Sequence, residues 1–205
     1  MKTVTTLRLS EFAKACGHSR EAIRNDIARG VAPWDELFFE EGKQRKFDGS
    51  HVMAFKLCQM LASQGITAEV ASAPLREGFK NLRDWLTARQ DRLASTSNQC
   101  LAIISAYEFK RGKGLFWNTK SVIGTPPEIR QAFEDAFRAV RKPRDINGIT
   151  AENMWDEPLG ALRVNLVTYD LAYKAAKAQA RENGFDLNFL DIEPTPQPDG
   201  SKEPE

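Results

Sequence analysis

The sequence predicts an α+β protein: a helical pair with a hairpin, then a bridging helix, then a small C-terminal α+β domain. Three features carry that expectation. Residues Ser10 to Arg29 (SEFAKACGHSREAIRNDIAR) have the spacing of two short helices joined by a tight turn. Trp34 to Phe39 and Lys43 to Phe47 flank Glu41-Gly42, a turn signal between two extended arms. Cys100 to Tyr107 (CLAIISAY) and Gly114 to Ile123 (GLFWNTKSVI) have the branched apolar content of strands, and an amphipathic helical pattern succeeds them from Glu128 to Val140.

With 205 residues, 41% hydrophobic and 28% charged, the chain is long enough for an ordinary core and a second small domain. Its net charge of +1 is too small for broad polyanion binding, which draws on many Lys and Arg contacts. The distribution matters more. The last fifteen residues hold five acids (Asp191, Glu193, Asp199, Glu203, Glu205) against one base, Lys202, leaving a balance of +5 on the preceding 190. Cys16, Cys58 and Cys100 are dispersed, odd in number and without a CxxC pair, which points to a reducing cytosol rather than a disulfide framework or a structural zinc site. The N-terminus has no apolar signal core, and no run approaches the ~18 apolar residues of a membrane span, so a soluble cytoplasmic protein without a membrane partner is expected.

Taken in order, Met1 to Leu9 is an extended lead-in with Val4, Leu7 and Leu9 spaced by polar residues. Ser10 is the expected N-cap of the first helix, with Phe12, Ala13 and Cys16 on one face. Gly17 supplies the positive φ that stops a helix sharply, and Ser19 caps the second helix, whose buried face is Ala22, Ile23 and Ile27. Arg20, Glu21, Arg24, Asn25 and Arg29 point away from that face. This is the layout of a helix-turn-helix, in which the second helix lies in the major groove and Arg and Asn make bidentate bonds to guanine and adenine edges. Arg20 and Arg24, one turn apart, are the expected base or phosphate contacts; Ser19 can bond a phosphate as well as cap its helix, and His18 borders them at the turn. Gly30 closes the second helix and Pro33 prevents its resumption. In the hairpin an acidic arm (Asp35, Glu36, Glu40, Glu41) opposes a basic one (Lys43, Arg45, Lys46), so charges can pair across it. Lys43, Arg45 and Lys46 are also placed to track a DNA backbone, adding affinity without base readout.

Asp48 caps a third helix, Gly49 to Gln64, apolar over much of its circumference; Gly65 stops it, Thr67 caps a short fourth helix, and Pro74 limits that helix's length. Over Leu7 to Glu77, about a third of the chain, the sequence resembles the MerR-type winged-helix DNA-binding domain and its shorter excisionase-like relatives among phage and mobile-element proteins. The pieces that carry the resemblance are LSEFAKACGHS, AIRNDIARGVAP, the hairpin ending Arg45-Lys46-Phe47 with its Asp48 cap, and SQGITAEV, in the family's order and near its spacings. Arg45 and Phe47 stand at the family's Arg-x-Tyr, and Gly65-Ile66-Thr67 resembles its Gly-Phe-Ser step. His18 replaces an apolar residue under the turn, and Asn25-Asp26 stands where MerR proper has an aromatic pair, which brings the chain closer to the excisionase-like branch. The resemblance implies a winged helix-turn-helix over residues 1–77 and double-stranded DNA as partner.

Gly78 to Leu93 has Phe79, Leu82, Trp85, Leu86 and Leu93 at helical spacing, a connecting helix within residues 78–97 that ends at the polar cluster Ser95-Thr96-Ser97-Asn98. MerR proteins dimerise through a long helix here. This one is short, so a homodimer is expected through the C-terminal α+β domain, residues 98–185, in which Leu162 to Val167 is a third strand and Tyr169 to Asn183 a final helix. Residues 186–205, acidic and rich in proline, are expected to be a disordered tail.

His18 and His51 have no partner at metal-ligand spacing and fit helix-turn and helix-cap roles; Cys16 and Cys58 fit the core. The basic run Lys110 to Gly114 (KRGKG) lacks the GxxxxGK[ST] frame and reads as a hairpin tip, while Tyr107, Phe116 and Trp117 read as core. With no Ser-His-Asp or Cys-His set, Rossmann fingerprint or metal-carboxylate motif, the chain is not expected to be an enzyme or to hold a cofactor or metal. The expected function is sequence-specific DNA binding as a transcriptional regulator. The alternatives are an excisionase-like architectural protein for site-specific recombination and a protein-binding adaptor on the same fold. Nothing in the sequence names a small-molecule effector.

Overall fold

The computed structural model describes residues 2–4, 6–36, 39, 44–90, 98–110, 114–141 and 162–187. Among the described residues there are seven helices and five strands, a mixed α+β arrangement, and no helix is long and apolar enough to cross a membrane. The chain divides into two compact units, one combining Met1–Thr96 with Asp170–Glu205, the other spanning Ser97–Tyr169.

The first unit begins with β1 (Lys2–Val4), then α1 (Leu9–Ala15) and α2 (Arg20–Ala28). The N-cap of α1 is Arg8 rather than Ser10, which lies in the first turn; the Glu11 carboxylate accepts the Arg8 N–H at 2.8 Å and so supplies the capping contact. Gly17 turns the chain at φ +70°, and Ser19 caps α2 by accepting the Ala22 N–H on its Oγ at 3.1 Å. Beneath the pair lies an aromatic core. Phe12 stacks on Phe47 with centroids 4.4 Å apart and meets Trp34 and Phe55 edge-on, and all four rings are buried. Each buried ring contributes on the order of 2–3 kcal/mol by area removed from water, so this cluster fixes α1 against the segments that carry Trp34, Phe47 and Phe55.

Among the described residues of the expected hairpin arms, 34–36, 39 and 44–46 are not in strands. Trp34 and its neighbours form bends around the buried indole, and Phe47 bridges to Leu7 rather than to the first arm, with reciprocal N–H to carbonyl bonds of 2.7 and 2.9 Å. Leu7 and Phe47 are both apolar and fully buried, so pairing them places two core side chains side by side. The Glu41-Gly42 turn lies outside the described residues.

α3 (Gly49–Ser63), α4 (Ala68–Glu77) and α5 (Phe79–Gln90) complete the helical body. α4 runs through Pro74 to Glu77 rather than ending there. α7 (Tyr169–Glu182) and β5 (Phe185–Leu187) return to the same unit: β5 pairs in parallel with β1, Val4 opposite Leu187, and Gln179 of α7 accepts a 2.7 Å hydrogen bond from Lys56 of α3. Asp186 and Leu187 therefore belong to a strand, and the sequence-based grouping of residues 98–185 into one domain differs from this division.

In the second unit β2 (Cys100–Lys110), β3 (Gly114–Gly124) and β4 (Leu162–Thr168) form an antiparallel sheet of order β3-β2-β4. α6 (Pro126–Arg141) starts at Thr125-Pro-Pro-Glu128, where the Glu128 carboxylate accepts the Thr125 N–H at 2.6 Å and its hydroxyl at 2.8 Å. Ile129 packs with Cys100, Ala102 and Val122 on one face of the sheet. The loop 111–113, the stretch 142–161, the tail 188–205 and the side chains of Tyr107, Phe116 and Trp117 lie outside the described residues.

Candidate nucleic-acid interface

With Ile23 buried and Ala22, Asp26 and Ile27 half-buried, α2 presents a polar stripe to solvent. At 3.6 residues per turn, Arg20, Arg24, Glu21, Asn25 and Arg29 fall within about half the helix circumference. All five are exposed. Among the described residues Arg20, Arg24 and Arg29 have no ion-pair partner, so their guanidinium donors are open to an incoming acceptor. Ser19 is exposed while its oxygen caps the helix, which leaves its hydroxyl proton free to donate.

Arg45 reaches the same region from the other side. A shallow groove of about 200 Å³ is lined by Leu9, Arg24, Ile27, Ala28, Arg45 and Phe47, so α2 and the segment preceding α3 each contribute one arginine to it. Arg45 is half-buried, bonds the Glu36 carboxylate at 2.6 Å and lies 5.5 Å over the Phe39 ring. The pairing expected between acidic and basic arms thus exists at this position, and an acceptor approaching Arg45 competes with Glu36. Lys46 is exposed beside it; Lys43 lies outside the described residues.

His18 is placed differently. Its ring meets Gln59 of α3 at 2.5 Å and stands edge-on to Phe55, and its backbone N–H closes the turn on the Ala13 carbonyl at 2.8 Å. His18 is exposed, and its imidazole lies at the surface against Gln59 and Phe55, at the position where the resembled family carries an apolar residue. Glu21 is exposed in the first turn of α2, where its negative charge favours the helix N-terminus but opposes a neighbouring phosphate.

What holds the segment that bears Arg45 has no local sequence signal beyond one cap. Asp48, two residues after Lys46, is buried. Its Oδ1 accepts the Ser50 N–H at 2.9 Å, the His51 N–H at 3.3 Å and the Ser50 hydroxyl, and it meets His51 Nδ1 at 2.7 Å. Its Oδ2 accepts Arg83 Nη1 of α5 at 2.7 Å. Burial alone would raise the Asp48 carboxyl; the charge and hydrogen bond of His51, with Arg83 and Ser50, outweigh it and hold the group well below the usual carboxylate range. His51 is walled by Trp34, Phe39, Phe47 and Phe79, with centroids 5.0 to 5.6 Å away. The groove wall at Phe47 is therefore continuous with a neutralised ionic cluster. Asp48 is legible as a cap; Arg83 lies 35 residues away and carries no such signal.

Among the described residues no group of three or more His, Cys, Asp or Glu is placed to hold a metal. Burial pushes the Cys16 thiol well above its ordinary value, so it is a neutral core side chain rather than a thiolate nucleophile or ligand. The chain matches no family model, and no curated protein aligns with it significantly.

Proposed function

We propose that this protein is a sequence-specific DNA-binding protein of winged helix-turn-helix type, acting as a transcriptional regulator. The observation that carries the reading is the convergence of Arg24 of α2 and Arg45 on one groove, beside an α2 face whose Arg20, Asn25 and Arg29 are exposed. Guanidinium groups in that arrangement match the two acceptor types of DNA. Arg20, Arg24 and Asn25 address base edges and nearby phosphates in the major groove, whereas Arg45 and Lys46 address the adjacent backbone and set register without reading sequence.

One such helix reads few base pairs, so a homodimer with two half-sites is part of the reading, and the partner is double-stranded DNA. A genome-wide footprint of the tagged protein tests it. A regulator protects palindromic sites at promoters. Clustered, tandem protection at an attachment site would instead favour the architectural role in recombination, and no protection anywhere would sink DNA binding.

A further inference from the structure

We propose that the groove between α2 and residues 45–47 is also the docking site of the chain's own C-terminal segment, residues 188–193 (Asn-Phe-Leu-Asp-Ile-Glu), which occupies it in the absence of nucleic acid; that docking competes with DNA rests on the function proposed above. The groove is small. At about 200 Å³ it falls below the ~300–1,000 Å³ of pockets that take small-molecule ligands and suits one or two apolar side chains. Its lining is apolar at Leu9, Ile27, Ala28 and Phe47 and basic at Arg24 and Arg45; among the described residues none of its lining residues is a carboxylate, though the Glu36 carboxylate bonds Arg45. The segment has the complementary pattern: Phe189, Leu190 and Ile192 are interleaved with Asp191 and Glu193, and it opens the most acidic part of the chain.

The topology directs the end of the described chain, Leu187, towards the groove. β5 is parallel to β1, and its last residue, Leu187, stands opposite Val4. Three residues beyond Val4 comes Leu7, bridged to Phe47, and two further on comes Leu9; Phe47 and Leu9 both line the groove. A chain leaving Leu187 abreast of Val4 and in the same direction therefore starts within about 15–20 Å of the groove, and six residues span about 20 Å. The effective concentration of a segment tethered so closely is on the order of millimolar, so modest contacts suffice to fill the groove. Occupation masks Arg24 and relieves Arg45 of its dependence on Glu36.

The test uses the full-length chain with the photo-cross-linking residue p-benzoylphenylalanine at position 192, irradiated in low salt and mapped by mass spectrometry. The proposal predicts an intramolecular cross-link to Leu9, Ile27, Ala28 or Phe47, with a yield reduced several-fold by Asp191→Asn plus Glu193→Gln. Cross-links that map elsewhere, that form only between two chains in a concentration-dependent manner, or that ignore the charge substitutions overturn it. In the same full-length background the two substitutions should raise DNA affinity about threefold to tenfold. An unchanged affinity with groove cross-links intact overturns the competition. Groove cross-links in a protein that binds no DNA at all leave docking standing and remove the DNA function instead.

Discussion

Asp48 ties the N-terminus of α3 to α5 through bonds to Ser50, His51 and Arg83, and it does so from a buried position. Removing one partner of a buried ion pair costs about 3–5 kcal/mol, because the remaining charge stays buried without its counter-ion. Asp48→Ala is accordingly expected to lower the urea-unfolding free energy by about that much, and Asp48→Asn combined with Arg83→Met should recover part of the loss. The depressed Asp48 carboxyl also fixes a pH dependence. Its stabilisation is complete above the unfolded value of about 3.9 and disappears as pH falls through the lower folded-state value. Urea unfolding across this acid range should show that slope in the native chain and lack it in Asp48→Asn. At this scale the sequence is legible where the partner is near. Ser19 and Asp48 read as caps because they bond N–H groups within three residues, whereas Glu36 with Arg45 and Asp48 with Arg83 depend on chain reversals that local pattern does not encode.

The α1–α2 element is the best-encoded part of the molecule, since cap, glycine and apolar face all point to one geometry. Gly17 carries a positive φ that a Cβ resists, and an added Cβ would also meet the flexible amide of Gln179. Gly17→Ala is expected to cost about 1–2 kcal/mol in thermal unfolding, chiefly from the backbone; combining it with Gln179→Ala should leave most of the loss, because the side chain can move aside and the φ cannot. A loss fully restored by the second substitution would contradict that assignment. The hairpin is less legible. Its alternating charges and turn signal are present, yet Phe47 pairs with Leu7, 40 residues earlier, a partner that no local pattern indicates. Pro74 has the local character of a stop for α4, but the helix accommodates it, a case of packing overriding local propensity at the buried Pro74 and Leu75.

For the molecule as a whole, the pairing of β1 with β5 makes the first unit discontinuous in sequence. Three-residue strands at opposite ends of the chain have too few positions to show a pattern, so composition alone places the domain boundaries elsewhere. A fragment ending at residue 97 loses α7 and β5, leaving β1 unpaired and Lys56 without Gln179; it should melt below the full-length protein, by about 4–8 °C for each kcal/mol lost. The strands of the sheet and the amphipathic α6 are legible, because β-branched runs and Thr125-Pro-Pro-Glu128 are local signals. The site is legible on α2 and opaque at the groove, whose walls come from three separated segments. The central claim, that this surface binds DNA through its arginines, is tested most directly by the salt dependence of binding to a footprinted fragment. With three to five phosphate contacts, log K should fall with log salt at a slope of about −3 to −5, and Arg20→Ala plus Arg24→Ala should weaken binding at least about tenfold and flatten the slope. A binding constant indifferent to salt, or unchanged by the double substitution, would contradict it.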